Sequence, residues 1–128
     1  MKTPTVLVID DDTPVRRAIW RLLQREGFEV LEASSGVEAL AMLADGRHVD
    51  AVTCDLSMPS MHGAQVLAAL RRDWPALPVV IVSGSLTDEL AVELLGAGAA
   101  ACLDKLDLAA LIPVVRDALV SARRRVGG

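Results

Sequence analysis

The stretch Thr5-Val6-Leu7-Val8-Ile9-Asp10-Asp11-Asp12-Thr13-Pro14 changes character twice within a few residues. Its first half is continuous, apolar and rich in β-branched side chains, which is typical of a strand covered on both faces. Three aspartates follow. Thr13 and Pro14 then have the chemistry of a helix start, with Thr13 as the N-cap and proline at the first helical position. The stretch therefore predicts a buried strand, an acidic turn and a helix.

The same alternation of strand and helix recurs along the chain. Stretches with apolar residues at helical spacing separate the apolar runs, for example Ile19, Leu22 and Leu23 after the first run. Five strands are predicted, at Thr5–Ile9, Phe28–Glu32, Asp50–Cys54, Pro78–Ser83 and Ala100–Asp104. Alternating strands and helices predict a single α/β domain with a parallel sheet and helices on both faces.

Short signals mark where the helices begin and end. A serine followed three residues later by an acid predicts a capping box, and glycine after a helix predicts a left-handed stop. Proline inside the last helical stripe should delay the start of that helix or loosen its first turn. These signals are Ser35 with Glu38, Ser85 with Asp88, Gly27, Gly46 and Pro113.

Composition bounds the classes of protein that this chain can belong to. The 128 residues, 52% of them hydrophobic, suffice for one domain with one core. No apolar run approaches the roughly 18 residues of a membrane span, and no signal-peptide pattern precedes the first strand, so we expect a cytoplasmic protein. The formal charge of −4 argues against nonspecific nucleic-acid binding. Cys54 and Cys102 are expected to be reduced and buried.

Chemistry-bearing residues follow several of the predicted strands. Right-handed crossovers bring the carboxyl ends of parallel strands to one edge, where ligands bind in such sheets. We therefore expect Asp10, Asp11, Asp55, Ser83 and Lys105 to lie close together. Crowded carboxylates repel, and Mg²⁺ with its preference for oxygen ligands resolves that conflict. A carboxylate beside such an ion can attack phosphorus, with lysine and serine stabilising the transferred group.

Each of these residues alone has an ordinary explanation. An aspartate at a strand end is more often a turn or cap residue, and Asp12 in particular can serve only to support the helix start at Thr13. Lys105 alone would be a solvated loop lysine, and Ser83 would cap the end of its strand. Their joint arrival at one edge is what favours a functional site.

From Thr5 to about residue 122, the sequence resembles the receiver domains of bacterial two-component response regulators. The resemblance implies the flavodoxin-like (βα)5 fold with strand order 2-1-3-4-5. It assigns residues 1–122 to the receiver domain and 123–128 to a tail or the start of a linker. The matching segments are Val6 to Asp11, the run Asp55-Leu56-Ser57-Met58-Pro59-Ser60-Met61-His62-Gly63, the pair Ser83-Gly84, and Lys105.

The resemblance also implies a role for each matching residue. Asp55 would be the phosphoacceptor, and Mg²⁺ would be held by Asp10, Asp11, Asp55 and the backbone carbonyl of Ser57. Ser83 would hydrogen-bond the phosphoryl group and Lys105 would pair with it.

The resemblance further implies a signalling switch rather than an enzyme, one that catalyses only its own phosphorylation and dephosphorylation. The phosphoryl donor would be a histidine kinase, a phosphotransfer protein or a small phosphodonor. A homodimer or an output domain would use the face of the fourth helix, fifth strand and fifth helix. No membrane and no direct nucleic-acid contact are expected.

Two positions depart from the family pattern. Leu106 follows Lys105 where the family usually has proline after a cis peptide bond; since a non-proline cis bond costs about 2.5–4 kcal/mol, we expect a trans bond and a differently placed loop. Cys102 stands where the family often has an aromatic switch residue, and the chain has no tyrosine.

Two other functions compete with the phosphoacceptor. One is a receiver that has lost phosphotransfer and serves only for docking. The other is a phosphatase of the haloacid dehalogenase type, whose first motif Asp10 and Asp12 fit, although Pro14 stands at the next motif position and the late acidic motif is missing.

Overall fold

A computed structural model describes the backbone of residues 3–127 and the side chains of residues 3–124. Five strands alternate with five helices, and a 3₁₀ helix precedes the last one. In chain order the elements are β1 (Thr5–Ile9), α1 (Thr13–Arg25), β2 (Glu29–Ala33), α2 (Gly36–Ala44), β3 (Ala51–Asp55), α3 (Gly63–Asp73), β4 (Val79–Ser83), α4 (Asp88–Gly96), β5 (Ala101–Asp104), the 3₁₀ helix (Lys105–Ala110) and α5 (Leu111–Gly127).

The strands form one parallel sheet in the order β2-β1-β3-β4-β5. Apolar side chains from the two faces of the sheet build two core clusters. One cluster includes Ile19 and Leu23 of α1 and Leu111 and Val115 of α5. The other includes residues of α2, α3 and α4. The predicted (βα)5 fold with strand order 2-1-3-4-5 and helices on both faces is therefore confirmed.

Burial explains why the central strands have continuous apolar sequences. Every residue of β1, β3 and β4 is buried, whereas the edge strands β2 and β5 are only partly so. A strand covered on both faces gains from an apolar side chain at every position. The continuous apolar run of β1 ends at Ile9, and the first acid, Asp10, follows at the sheet edge.

The predicted strand limits are correct for β1; each other strand starts one residue later than predicted, and β2 and β3 also end one residue later. Asp50, predicted to start the third strand, precedes it and exchanges hydrogen bonds with Thr5: its carboxylate accepts the Thr5 N–H at 2.8 Å, and its own N–H donates to the Thr5 carbonyl at 2.8 Å. Phe28, predicted to start the second strand, instead packs in the core below α1 and α5.

The prediction of Thr13 as N-cap was wrong by one residue. Asp12 caps α1, because its carboxylate accepts the N–H of Val15 at 3.4 Å and its carbonyl accepts the N–H of Arg16 at 2.9 Å. Thr13 is thus the first helical residue and Pro14 the second. Proline is still tolerated there, since first-turn N–H groups have no partner within the helix.

The remaining helix signals were partly correct. Ser35 caps α2 as predicted, accepting the N–H of Glu38 at 3.1 Å, but the Glu38 carboxylate meets Ser34 rather than closing the box. The N-cap of α4 is Thr87 and not Ser85, because the Thr87 hydroxyl accepts the N–H of Leu90 at 3.1 Å. Gly27 and Gly46 end their helices with positive φ, as predicted.

The end of the chain departs from a simple fifth helix. The 3₁₀ segment Lys105–Ala110 contains the non-helical residue Asp107, and α5 starts only at Leu111, two residues before Pro113. A delayed start is what the proline predicted. α5 continues past the proposed boundary at residue 122 as far as Gly127, and Gly128 lies outside the described residues.

In the part of the chain that the structure describes, none of the helices combines the length and the apolar character needed to cross a membrane.

Candidate functional site

The carboxyl edge of the sheet brings three of the predicted acids together. Asp10 follows β1, Asp11 comes next in the turn, and Asp55 ends β3. Each offers a carboxylate oxygen within 4.8 Å of those of the other two. Lys105, directly after β5, reaches across β4 and places its Nζ 3.1 Å from Asp10 Oδ2 and 3.1 Å from Asp55 Oδ1. The juxtaposition expected from the sheet topology is thus present.

Asp10 is fixed by several contacts and is only 1% exposed. One carboxylate oxygen, Oδ1, accepts the N–H of Asp12 at 2.9 Å, while the other lies against Lys105. Its backbone carbonyl accepts a hydrogen bond from the Arg16 guanidinium at 2.9 Å, and Arg16 pairs in turn with Glu32 at 3.2 Å. Asp10 is therefore held as a fixed acid at the base of the acidic turn.

Asp55 is 4% exposed, and its surroundings disfavour its charge. Burial raises the pKa of Asp55, the neighbouring Asp10 and Asp11 raise it further, and Lys105 partly opposes them. Burial also lowers the pKa of Lys105, but its hydrogen bonds to Asp55 and Asp10 outweigh burial, so this pKa lies above the ordinary lysine value. The lysine is thus held as a cation between two carboxylates.

Gly63 at the start of α3 sets the position of the backbone around Asp55. Its N–H donates to the carbonyl of Leu56 at 2.8 Å. A Cβ added at Gly63 would lie 2.4 Å from the Asp55 carbonyl oxygen and 2.7 Å from Leu56 Cα. Only glycine permits this approach, so the loop from Asp55 to Gly63 closes back onto the end of its own strand.

A cavity of about 340 Å³ opens beside these groups. It is lined by Asp11, Asp12, Asp55, Ser57, Gly84, Ser85 and Lys105. Asp12 therefore reaches the cavity as well as capping α1, but it is not one of the three acids whose oxygens converge.

The two predicted serines, Ser57 and Ser83, differ in whether they line the cavity. Ser57 lines the cavity, whereas Ser83 is buried and is not among the lining residues. The Ser83 hydroxyl accepts the N–H of Ser85 at 3.2 Å. Ser85, which lines the cavity, was missed at the sequence level. Its position two residues beyond a strand end was the available signal, but the sequence does not tell which of two nearby hydroxyls faces a cavity.

The chemistry of the acidic group fits a magnesium ion. Three carboxylates and one lysine cation leave an excess of two negative charges when all are ionised. Hard carboxylate and carbonyl oxygens are the ligands that Mg²⁺ prefers, and it usually needs only one or two carboxylates from the protein. Asp10, Asp11 and Asp55 are the carboxylates available to it here, and Ser57 lines the adjoining cavity.

The two cysteines also lie near this half of the sheet. Cys54, next to Asp55, is buried and donates its thiol to the Asp55 carbonyl at 3.3 Å, and burial raises the pKa of this thiol. Cys102 is only partly buried, against the prediction, and packs on the cluster beneath α4. Both are free thiols.

A larger cavity of about 850 Å³ lies at the opposite, amino edge of the sheet, among Leu43, Trp74 and Leu119. No converging group of acids lines it. Cavity size alone would therefore favour the amino edge, whereas the converging charged groups favour the carboxyl edge as the candidate site.

Comparison with known proteins indicates the family to which the chain belongs. Residues 6–116 match the family described as the response regulator receiver domain. The chain is 42% identical over 88 residues to the sensor kinase CckA of Brucella abortus, covering 68% of this chain and 9% of that protein. It is 39% identical over 97 residues to the transcriptional regulatory protein PrrA of Mycobacterium tuberculosis, covering 76% of this chain and 41% of that protein. The chain thus spans less than half the length of these curated relatives.

Solved structures give the same result. A CheY-like receiver domain from Methanospirillum hungatei superposes with a TM-score of 0.88 at 26% identity, covering 97% of this chain and 99% of that one. A receiver domain from Clostridium thermocellum gives 0.82 at 30% identity, covering 97% of each chain. From the match over residues 6–116 and the shared architecture, we conclude that the chain belongs to the response regulator receiver domain family.

Proposed function

We propose that this receiver domain accepts a phosphoryl group on Asp55 in a magnesium-dependent reaction and acts as a signalling switch. The observation that carries the proposal is the pairing of Asp55 Oδ1 with Lys105 Nζ at 3.1 Å inside a group of three converging carboxylates. A nucleophilic carboxylate, a fixed cation and oxygen ligands for a metal are the parts that aspartyl phosphorylation needs.

The chain's own residues divide the chemistry among them. One Asp55 carboxylate oxygen attacks the phosphorus, a new P–O bond forms, and the bond from phosphorus to the donor breaks with its electron pair leaving on the donor. Lys105 stabilises negative charge on the transferred group. Ser83 can donate its hydroxyl proton to the same group, because the Ser83 oxygen acts as the acceptor in its hydrogen bond with the Ser85 N–H. Asp10, Asp11, Asp55 and the Ser57 carbonyl would hold Mg²⁺, which supplies further charge neutralisation when bound.

The phosphoryl donor in this proposal is a histidine kinase or a phosphotransfer protein. Two of the relatives, a sensor kinase and a transcriptional regulator, are themselves signalling proteins. Exposed apolar side chains are available for an output contact on α4, at Val92 and Leu95, and at Leu106 after β5. The proposed homodimer or output surface is therefore the face of α4, β5 and α5.

Intact-mass measurement after incubation with acetyl phosphate and Mg²⁺ tests the proposal. The protein should gain one phosphoryl group, and Asp55→Asn should gain none. Asp12→Asn is the matched control: it removes a nearby carboxylate that lines the same cavity, and it should still be labelled. Full labelling of Asp55→Asn would refute the assignment.

Two further results would favour the competing functions. A protein that is never labelled, although it binds Mg²⁺, would be the docking receiver. Rapid hydrolysis of a small phosphate ester, with labelling abolished only by Asp10→Asn, would favour the phosphatase.

A further inference from the structure

At the junction between β5 and the 3₁₀ helix, a hydrogen bond closes a turn around Lys105. The carboxylate of Asp104 accepts the N–H of Leu106 at 2.9 Å, so that the side chain before Lys105 binds the backbone after it. The structure has no cis peptide bond within the described residues, so the peptide between Lys105 and Leu106 is trans. The lysine therefore lies inside a small hydrogen-bonded turn.

We propose that Asp104 is a positioning residue that orients Lys105 toward the acids by accepting the N–H of Leu106; this inference rests on the proposed phosphorylation of Asp55.

The sheet fixes the start of this turn. Asp104 pairs with Ser83 as the last residue of β5, so its backbone is fixed by the sheet. Beyond it, no residue of the 3₁₀ helix is buried, and Asp107 has non-helical angles (φ −114°, ψ 42°). Leu108 and Ala110 pack against the core cluster of α1 and α5, but Leu106 and Asp107, directly after Lys105, are exposed. The bond from Asp104 is therefore the restraint on the backbone that directly follows Lys105.

Lys105 needs such a restraint because of the distance that it covers. Its ammonium group contacts Asp10 and Asp55 at the ends of β1 and β3, while its backbone directly follows β5, on the far side of β4. The side chain has a flexible four-carbon stem, so the direction of its Cα–Cβ bond must be set by the backbone. A fixed backbone on both sides of Lys105 sets that direction.

Leu106 contributes its N–H and almost nothing else. Its side chain is 94% exposed, so it does not pack against the domain. Proline at this position would have no N–H to donate. The hydrogen bond therefore requires both the Asp104 acceptor and a residue other than proline at position 106.

The acceptor role of Asp104 can be separated from its charge. Asparagine keeps an oxygen that accepts the same hydrogen bond but carries no charge. Asp107 lies three residues further along the same exposed segment, and its carboxylate makes no hydrogen bond or ion pair with the side chains that the structure describes. Asp104→Asn is therefore the rescuing variant, and Asp107→Ala is the matched control for loss of an acid.

The first measurement is the rate at which the full chain gains mass with saturating acetyl phosphate and Mg²⁺. Losing one hydrogen bond to a charged acceptor should slow Asp104→Ala by roughly three- to tenfold. Asp104→Asn should stay within about twofold of the parent chain because its side-chain oxygen still accepts the bond. Asp107→Ala and Leu106→Ala, which keeps the N–H, should react at the parent rate.

The second measurement needs neither metal nor phosphodonor. Lys105 and Lys2 are the only lysines, so brief acylation with an amine-reactive ester followed by peptide mass spectrometry compares the two directly. Lys105 is only 21% exposed and paired with two acids, so its labelling should be low relative to Lys2 in the parent chain. That ratio should rise several-fold in Asp104→Ala and return to the parent value in Asp104→Asn.

Each outcome decides a different claim. If Asp104→Asn behaves like Asp104→Ala in both measurements, charge matters and not the hydrogen bond, and the inference is overturned. If Asp104→Ala matches the parent in both, Asp104 positions nothing. If the parent chain is never phosphorylated, the proposed function fails, while the acylation ratio still decides whether Asp104 places Lys105.

Discussion

At the scale of single residues, the acidic site is a compromise between burial and charge. Asp55 and Asp10 are almost completely removed from water, and among the described side chains only Lys105 forms an ion pair with both. The pKa of Asp55 is raised by burial and by its acidic neighbours more than Lys105 lowers it. The folded protein therefore gives up stability to keep a carboxylate at this position, as is common where a group has a chemical task.

That compromise predicts a stabilising substitution. Because the pKa of Asp55 is higher in the folded than in the unfolded chain, the free energy of unfolding falls as pH rises from the ordinary carboxyl value of 3.8 through the folded value. Asp55→Asn removes this penalty, so it should raise the melting temperature at pH 7 and have little effect below pH 3.8. Thermal unfolding of both proteins across this range, without Mg²⁺, measures the difference. A lower melting temperature for the variant at pH 7 would mean that the pair with Lys105 outweighs burial.

The three consecutive aspartates should differ in their effect on Mg²⁺. Asp10 and Asp11 converge with Asp55, whereas Asp12 caps α1. Saturating Mg²⁺ should therefore raise the melting temperature of the parent chain and of Asp12→Asn, since asparagine also caps helices well. The increase should be much smaller for Asp10→Asn and Asp11→Asn. An equally large loss for Asp12→Asn would move the metal site by one residue.

At the scale of secondary-structure elements, the sequence predicts which strands and helices exist, and in what order, better than it predicts their first and last residues. Continuous β-branched runs and helical stripes identify all ten main elements, because burial on both faces of the sheet requires them. The caps were less predictable. Thr13 and Asp12 can both cap a helix, as can Ser85 and Thr87, and the choice depends on which backbone N–H groups the loop presents. Likewise, the sequence indicates that Ser83 lies near the candidate site, but neither that Ser83 is buried nor that Ser85 lines the cavity.

Replacing threonine by valine should change the free energy of unfolding in opposite directions at Thr53 and at Thr87. Thr53 lies in the middle of β3, and its hydroxyl oxygen is buried without a hydrogen-bond partner in the described structure. Thr87 uses its hydroxyl to cap α4. Thr53→Val should therefore raise the free energy of unfolding by about 1 kcal/mol, since no bond is lost and an unsatisfied group is removed. Thr87→Val should lower it by about 1 kcal/mol.

Urea unfolding of the two variants beside the parent chain measures both effects. A destabilised Thr53→Val would show that the hydroxyl has a partner, such as a buried water molecule.

At the scale of the whole molecule, the sheet separates a rigid part from a more adjustable one. β1 and β3 are central, fully buried strands that deliver Asp10 and Asp55. Lys105 comes instead from the edge strand β5 and a 3₁₀ segment with no buried residue. The side chain at Cys102 is too small to change the surface much by rotating. A signal from Asp55 should therefore leave through the backbone of the loops after β4 and β5.

Amide hydrogen exchange should show this division. Phosphorylation should alter exchange in residues 84–90 and 105–113, while β1 and β3 stay protected. Cys102→Ala should leave that response largely intact. A Cys102→Ala variant that is phosphorylated normally but shows no change in exchange would mean that Cys102 itself is the switch.

Chemical mapping of the modified residue tests whether Asp55 carries the phosphoryl group. Borohydride reduces an aspartyl phosphate to homoserine, so peptide mass spectrometry after treatment with acetyl phosphate and Mg²⁺ locates the acceptor. Homoserine is expected at position 55, with unmodified aspartate at positions 10, 11 and 12. Homoserine at any of those three positions, with Asp55 unchanged, would contradict it.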